Sequence, residues 1–134
     1  MAAWLGRALA AAERPHLDRH GLTMWAYVVL TSLGAEPWVS QKALADAIRA
    51  DRTRIIAVLD DLQERGLISR EPDPADRRVR LIALTPQGRA VRDAAQRDIR
   101  RGEEQLLDEL PADDRAVFLR SLQHLATVAP DILT

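Results

Sequence analysis

The amino-acid sequence predicts a mostly α-helical protein with a small β-hairpin. Three features of residues 51–88 support this prediction. Apolar residues recur at helical spacing through residues 51–65,. Two short runs that fit β-strands follow within residues 67–84, with an arginine-rich turn between them,. Thr85-Pro86 then has the order of a helix N-terminus, because proline is favoured at the first helical position. A helix followed by a hairpin with arginines at its tip is typical of a winged helix-turn-helix.

Three helices are predicted before residue 51. The first covers residues 2–13, and Pro15 is expected to end or bend it,. The second covers residues 22–33, where apolar residues follow helical spacing,. Val39-Ser40 is expected to open a third, short helix over residues 40–48, with Ser40 as its cap,.

The helix over residues 51–65 and the hairpin form the second half of this module. Asp51 can cap the helix and Gly66 can stop it,. The stripe that the helix buries consists of Ile55, Leu59 and Leu62. Residues 71–74 (Glu-Pro-Asp-Pro) are expected to continue neither element, because each proline removes a backbone donor,. The returning strand is predicted from the alternation of Val79, Leu81 and Ala83,.

The C-terminal third is predicted to be two helices. The first runs from Pro86 to about residue 110, and the second begins at Asp113 or Asp114. Such helices bury little against so small a core, which favours packing on a second copy of the chain. The alternative is a monomer in which they fold back on the module. The 134 residues then form one domain, with residues 1–20 and 86–134 as dimerisation helices and 21–85 as a winged-helix lobe.

Composition narrows the class of protein. Hydrophobic residues make up 47% and charged residues 29% of the chain, as in ordinary soluble domains,. No apolar run is long enough for a membrane span. The Ala-rich N-terminus has features of a signal peptide, but no convincing cleavage region follows, and an amphipathic helix fits better. The absence of cysteine excludes disulfides and thiolate metal sites,. We therefore expect a cytoplasmic protein.

The distribution of charged residues along the chain is more informative about function than the net charge. The formal net charge is −1, whereas a nucleic-acid-binding surface requires a concentrated positive field. Basic residues do cluster at two places in the predicted module. These clusters are Lys42, Arg49, Arg52 and Arg54 around the helix-turn-helix, and Arg77, Arg78 and Arg80 in the hairpin.

Residues 44–89, LADAIRADRTRIIAVLDDLQERGLISREPDPADRRVRLIALTPQGR, resemble the core of the MarR family. The similarity is densest at Leu44-Ala45, Leu59 to Leu62, Gly66-Leu67-Ile68, Asp76-Arg77-Arg78 and Leu84-Thr85-Pro86-x-Gly88. The resemblance implies a homodimeric regulator of transcription that binds double-stranded DNA at a near-palindromic site. It further implies a repressor relieved by a small aromatic or phenolic effector.

Six residues of the helix-turn-helix are candidates for DNA contact. The first residues of a recognition helix face base edges in the major groove, and arginine and threonine can read those edges. The start of the preceding helix favours phosphate, so it would position the protein and not specify sequence. The alternative for the residues that begin the recognition helix is that they are ordinary solvated first-turn residues. The candidates are Arg52, Thr53 and Arg54 for bases, and Ser40, Gln41 and Lys42 for phosphates.

The hairpin tip supplies the other DNA candidates. Arg78 is a candidate for insertion into a minor groove, where narrow A·T-rich tracts attract arginine. The resemblance implies that Asp76 orients Arg78 through a salt bridge. Arg77 and Arg80 would add contacts to the DNA backbone. The alternative reading, a solvated turn with a structural ion pair, is compatible with the first.

The resemblance also implies an effector crevice between the dimer helices and the DNA-binding lobe, which large or titratable side chains could line, although large aromatic residues at helical spacing more often belong to the core. The candidates are Trp4, His16, His20, Met24 and Trp25. The spacing of the two histidines could suit zinc, but a solvent-facing or capping role is favoured, so we expect no metal site. No catalytic motif is present, and we expect neither an enzyme nor a cofactor.

One other class of function remains open, a winged-helix module that binds another protein without specific DNA binding. The near-neutral charge favours it, whereas arginines at both the recognition helix and the wing tip argue against it. Salt dependence separates the two, because only DNA binding should weaken steeply as salt rises.

Overall fold

The computed structural model describes residues 1–133, and across them it contains six α-helices and one three-stranded β-sheet. In chain order the elements are α1 (Ala2–Arg19), α2 (Met24–Ser32), β1 (Val39–Ser40), α3 (Gln41–Ile48), α4 (Arg52–Glu64), β2 (Ile68–Pro72), β3 (Arg80–Leu84), α5 (Pro86–Leu107) and α6 (Ala112–Ile132). The chain divides into two compact units after residue 98, within α5. The predicted fold class, mostly helical with a small hairpin, is confirmed.

Helix α1 is longer than predicted, because Pro15 lies inside it and does not end it. A proline removes one amide donor from a helix. Here the helix continues for another turn, which places Leu17 in the core with 2% of its surface exposed. That burial offsets the lost hydrogen bond. The turn after the helix uses Gly21, whose φ of +67° suits glycine,.

Helices α2, α3 and α4 pack together as the predicted helix-turn-helix. Side-chain oxygens cap all three, because Thr23, Ser40 and Asp51 accept hydrogen bonds from the amides of Ala26, Ala43 and Arg54. The apolar stripe of α4 is buried as predicted. The largest fully buried side chains of the core are Leu30, Leu44, Ile55, Leu59, Leu62 and Ile82, with Val29.

The sheet has one strand more than predicted. Its order is β1-β3-β2 and both pairings are antiparallel. Val39 and Ser40 form β1 and pair with Ile82 and Leu81, although the sequence predicted that these two residues open α3. Two residues are too short for a periodic pattern, so only the pairing with β3 defines this strand.

Two details of the hairpin also differ from the prediction. Strand β2 extends to Pro72, which pairs with Arg80. A proline is tolerated there because β2 is an edge strand,, and the amide of Asp73 donates to the carbonyl of Val79 at 2.8 Å beyond it. In β3 the fully buried residue is Ile82, whereas the predicted alternation of Val79, Leu81 and Ala83 is only half-buried. Successive side chains of a strand point to opposite faces, so the core lies on the face of Ile82 and not on that of Leu81 and Ala83,.

Helix α5 starts as predicted at Pro86, with Thr85 as its cap. The hydroxyl of Thr85 accepts a hydrogen bond from the amide of Gly88 at 2.9 Å and donates one to the carbonyl of Gly66 at 2.7 Å. One side chain therefore joins the end of α4 to the start of α5.

The second unit contains the end of α5 and helix α6. Arg115 of α6 contacts Glu104 and Asp108 of α5, the latter at 2.8 Å, and Glu104 is the main cause of the raised pKa of Arg115. None of the residues of α6 is buried within the chain. Val117, Leu122 and Leu125 remain 52%, 51% and 59% exposed. This helix therefore has an apolar surface without cover in the single chain.

Candidate nucleic-acid interface

The N-terminus of α4 presents its first turn to solvent. Asp51 caps the helix by accepting a hydrogen bond from the amide of Arg54 at 2.8 Å. Arg52, Thr53 and Arg54 are all exposed, while Ile55 behind them is buried. The cap and the buried stripe thus fix the orientation of the helix and leave the three predicted base-reading residues accessible.

One of these residues is held by a contact that the sequence did not reveal. The guanidinium carbon of Arg54 lies 5.3 Å from the centre of the Trp25 ring, within the range of a cation–π interaction,. Its Nε also lies 3.8 Å from the carboxylate of Asp51. Trp25 was predicted to line an effector crevice. The structure places it against α4, the predicted recognition helix.

The N-terminus of α3 lies beside the first turn of α4. Ser40 uses its hydroxyl as the helix cap, at 3.0 Å from the amide of Ala43, and its backbone pairs with β3. Gln41 is half-buried and Lys42 is exposed in the first turn. Of the three predicted phosphate contacts, Lys42 therefore has the freest side chain.

The β2–β3 hairpin is the wing, and Asp76 organises its tip. Its carboxylate accepts hydrogen bonds from the backbone amide and Nε of Arg78, both at 3.1 Å, and from Nη2 at 3.3 Å. These bonds, chiefly that of the Arg78 side chain, hold the pKa of Asp76 below its usual value. The Arg78 side chain is nevertheless 91% exposed. The contact therefore orients the guanidinium and leaves it accessible, and Arg77 next to it is exposed as well.

A cleft of about 610 Å³ separates these three elements, and we call it the basic cleft. Its walls are Ser40, Gln41, Lys42, Ala45, Asp46, Ala50, Arg52, Ile55, Arg78, Val79 and Arg80. Four cationic residues line it, from α3, α4 and the wing, against one carboxylate, Asp46. The structure thus brings six of the ten predicted DNA-contact residues together. Thr53, Arg54, Asp76 and Arg77 lie outside the walls of the cleft.

Two further residues of this surface escaped the sequence analysis. Ile56 is 39% exposed on α4. It follows Ile55 and lies off the buried stripe, so helical geometry could have identified it as a solvent-facing apolar residue. Arg70 of β2 contacts Asp60 of α4, and its Nε donates to Gln63 at 2.6 Å. This contact holds β2, the first strand of the wing, against the recognition helix α4. No local sequence pattern indicates it.

Comparison with known proteins assigns the chain to a family. The MarR family model matches residues 22–79. The solved structure of a MarR-family transcriptional regulator from Rhodococcus sp. RHA1 is 30% identical, with a TM-score of 0.80, and the match covers 92% of this chain and 88% of that one. The chain belongs to the MarR family. The regulators of this family bind DNA and are not enzymes.

Two other MarR-like relatives are informative. The PcaV transcriptional regulator of Streptomyces coelicolor, solved in complex with its natural ligand, is 32% identical with a TM-score of 0.72, over 93% of this chain and 91% of that one. A Thauera aromatica protein named for regulation of the hcr operon is 31% identical over 105 residues, 78% of this chain. The chain spans 63% of the length of that relative.

The five candidate effector residues of this MarR-family chain have different surroundings. A cavity of about 600 Å³ between α1 and α2, the α1–α2 cavity, is lined by Ala10, Ala11, Arg14, Leu17, Asp18, Leu22, Thr23 and Met24. Met24 is the one candidate in its wall. Nε2 of His20 lies 2.8 Å from a carboxylate oxygen of Asp98, His16 contacts Arg19, and Trp4 is exposed.

The part of the chain that the structure describes was also compared with the requirements of a metal site and of a membrane span. Among residues 1–133 no group of three His, Cys, Asp or Glu side chains is placed to hold a metal ion. None of the helices in this range is both long and apolar enough to cross a membrane.

Proposed function

We propose that this MarR-family regulator is a homodimeric, cytoplasmic repressor that binds double-stranded DNA at a near-palindromic operator and is released by a small aromatic or phenolic effector. Residues 21–85 form the DNA-binding lobe in this proposal. Residues 1–20 and 86–134 form the dimer interface. An alternative without specific DNA binding, a protein-interaction module, is separated from it by the test below.

The observation that carries the proposal is the basic cleft. Three separate elements direct cationic side chains at one concave surface, with Lys42 from α3, Arg52 from α4, and Arg78 and Arg80 from the wing. Phosphate contacts supply much of the affinity of a DNA-binding protein. A concave surface lined by one sign of charge also concentrates oppositely charged ligands. A DNA backbone is the ligand that fits this arrangement.

The roles of the individual residues follow from their positions. Arg52, Thr53 and Arg54 at the start of the recognition helix would meet base edges in the major groove. Ile56, one turn further on, offers an apolar contact of the kind that thymine methyl groups favour. Ser40, Gln41, Lys42, Arg77 and Arg80 would contact the backbone. Arg78, braced by Asp76, would enter the minor groove.

The proposed dimer is supported by helix α6. Its apolar residues Val117, Leu122 and Leu125 are each more than half exposed, and burying them against a second copy would remove that surface from water. A two-fold dimer also presents two recognition helices to half-sites about one helical turn apart. The monomer alternative would require another cover for this surface.

The proposed effector site is supported by the α1–α2 cavity. Its wall combines apolar side chains with Arg14, a cation that could meet the carboxylate of an aromatic acid. The structure of PcaV in complex with its natural ligand shows that one relative binds a ligand. An effector would act here by changing the spacing of the two recognition helices. Equal helix spacing in free and effector-bound protein, together with loss of DNA binding, would exclude this mechanism.

The test is a titration of the protein against its own upstream intergenic DNA at several salt concentrations, beside Arg78→Ala. Each cation that neutralises a phosphate adds about 0.9 to the slope of log affinity against log salt. The Arg78→Ala dimer loses two cations, so its slope should be smaller by about 1.8. Arg97→Ala, shown to remain dimeric, is the matched control, because Arg97 is exposed on α5 in the single chain and does not line the basic cleft.

Two results would count against the proposal. A folded dimer that binds no DNA, or binds with an affinity independent of salt, would favour the protein-interaction alternative. An equal loss in Arg78→Ala and Arg97→Ala would show that net charge matters and the wing does not.

A further inference from the structure

We propose that Trp25 is a positioning residue for operator recognition, which holds Arg54 in the orientation that reads the DNA. The inference rests on the proposed DNA binding through α4. It goes beyond that proposal because Trp25 lies on α2, outside the elements assigned to the interface. Its basis is the contact between the Arg54 guanidinium and the Trp25 ring, at 5.3 Å from the ring centre.

The contact restrains one side of Arg54 and leaves the other available. The guanidinium carbon lies over the indole ring, and Nε lies 3.8 Å from the Asp51 carboxylate. Within residues 1–133 the terminal nitrogens Nη1 and Nη2 make no hydrogen bond, and the side chain is 54% exposed. These two nitrogens are donors of the kind used for bidentate contact with guanine.

The fold holds the Trp25 indole in place. Trp25 belongs to the first turn of α2, which Thr23 caps by accepting the amide of Ala26 at 3.1 Å. Ala26, the next residue, is 3% exposed, and α2 packs against α4. The indole is half-buried. The flexible Arg54 side chain therefore contacts an indole whose position is fixed by the packing of α2 against α4.

This arrangement lowers the entropy that Arg54 must lose when it meets a base. Immobilising a flexible side chain at an interface weakens binding, and an arginine already stacked on an aromatic ring has lost part of that freedom. No aromatic contact of this kind joins Arg52 or Thr53 within the described chain. The effect of Trp25 should therefore act through Arg54 alone.

The experiment is a double-mutant cycle with the full-length protein. Trp25→Leu keeps apolar bulk and removes the indole, and Arg54→Ala removes the cation. The parent, both single variants and the double variant are titrated against operator DNA and against a non-operator duplex of equal length. Thermal denaturation of each variant confirms that it is folded.

Trp25→Leu should lose about four- to twenty-five-fold in operator affinity, because an exposed cation–π contact contributes about two- to fivefold per protomer and the dimer has two. Non-operator binding should change much less. In the Arg54→Ala background, Trp25→Leu should cause little further loss. Trp25→Phe, which keeps an aromatic face, should recover most of the operator affinity.

Equal losses from Trp25→Leu with and without Arg54 would overturn the inference, since they would assign Trp25 a purely structural role. A Trp25→Phe protein no better than Trp25→Leu would also contradict it. If the parent shows no salt-sensitive DNA binding, the proposed function fails and this inference fails with it. Parent binding without coupling between the two residues leaves the proposed function intact and refutes this inference alone.

Discussion

Among the glycines of the described chain, Gly88, the third residue of α5, has the least room for a side chain. A Cβ added there would lie 1.9 Å from the carbonyl oxygen of Leu67 and 3.0 Å from Cδ1 of Leu84. The side chain of Leu84 can turn away, but the carbonyl belongs to the backbone at the start of the wing. We therefore expect Gly88→Ala to separate α5 from the root of the wing.

The magnitude follows from what this separation disrupts. Ordinary contact requires the Cβ and the oxygen to move apart by more than about 1 Å. The carbonyl of Leu67 also accepts the amide of Thr85 at 3.2 Å, and the hydroxyl of Thr85 donates to Gly66. Overpacking and two weakened hydrogen bonds together should lower the free energy of unfolding by about 2–6 kcal/mol. That is a large part of the 5–15 kcal/mol typical of a domain.

The assay is urea denaturation of parent and variant at equal protomer concentration, because dimerisation contributes to apparent stability. Gly6→Ala is the matched control. Apart from the chain neighbours of Gly6 and the backbone of its own helix, no atom of residues 1–133 lies within 4 Å of a Cβ at this position, so alanine there should raise helix stability by about 0.5–1 kcal/mol. A Gly88→Ala protein as stable as the parent would refute the reasoning, because the close approach of α5 to Leu67 could not then exist.

Three further outcomes are expected. Asp46→Asn should tighten operator binding about two- to threefold at low salt, and this gain should vanish at high salt, because it removes the one carboxylate in the basic cleft,. The lowered pKa of Asp76 means that its ion pair with Arg78 is complete above the unfolded pKa and is lost only as pH falls through the folded one,. NMR titration of this carboxyl should therefore show a midpoint below that of a free aspartate, and operator binding through the wing should not titrate between about pH 5 and 8. Arg70→Met should lower the free energy of unfolding by about 1 kcal/mol and weaken operator binding, because it releases the wing from Asp60,; unchanged binding would show that the wing needs no such anchor.

Local signals made much of this fold predictable. A helix cap involves residues three apart, so Ser40, Asp51 and Thr85 could be identified as caps from the sequence,. The buried stripe of α4 follows from helical spacing. The cationic residues of the basic cleft were also predicted, because a helix-turn-helix places the first turn of its second helix at the surface.

Contacts between distant residues account for what the sequence did not reveal. Strand β1 exists because Val39 pairs with Ile82, and two residues carry no pattern of their own. Helix α1 passes through Pro15 because the following turn buries Leu17, which local propensity cannot foresee. The stack of Arg54 on Trp25 joins two helices. In each case tertiary packing decided between local alternatives.

The near-neutral net charge of the chain is compatible with DNA binding because three acidic residues in α4 and at its N-cap have basic partners of their own. Asp60 is paired with Arg70, and Asp61 lies 3.6 Å from Arg65. Asp51 caps the helix and faces Arg54. Exposed charges more than about 8 Å apart are largely screened at physiological salt. A phosphate in the basic cleft would therefore respond chiefly to the four cationic residues around it, and the composition of the whole chain says little about that local field.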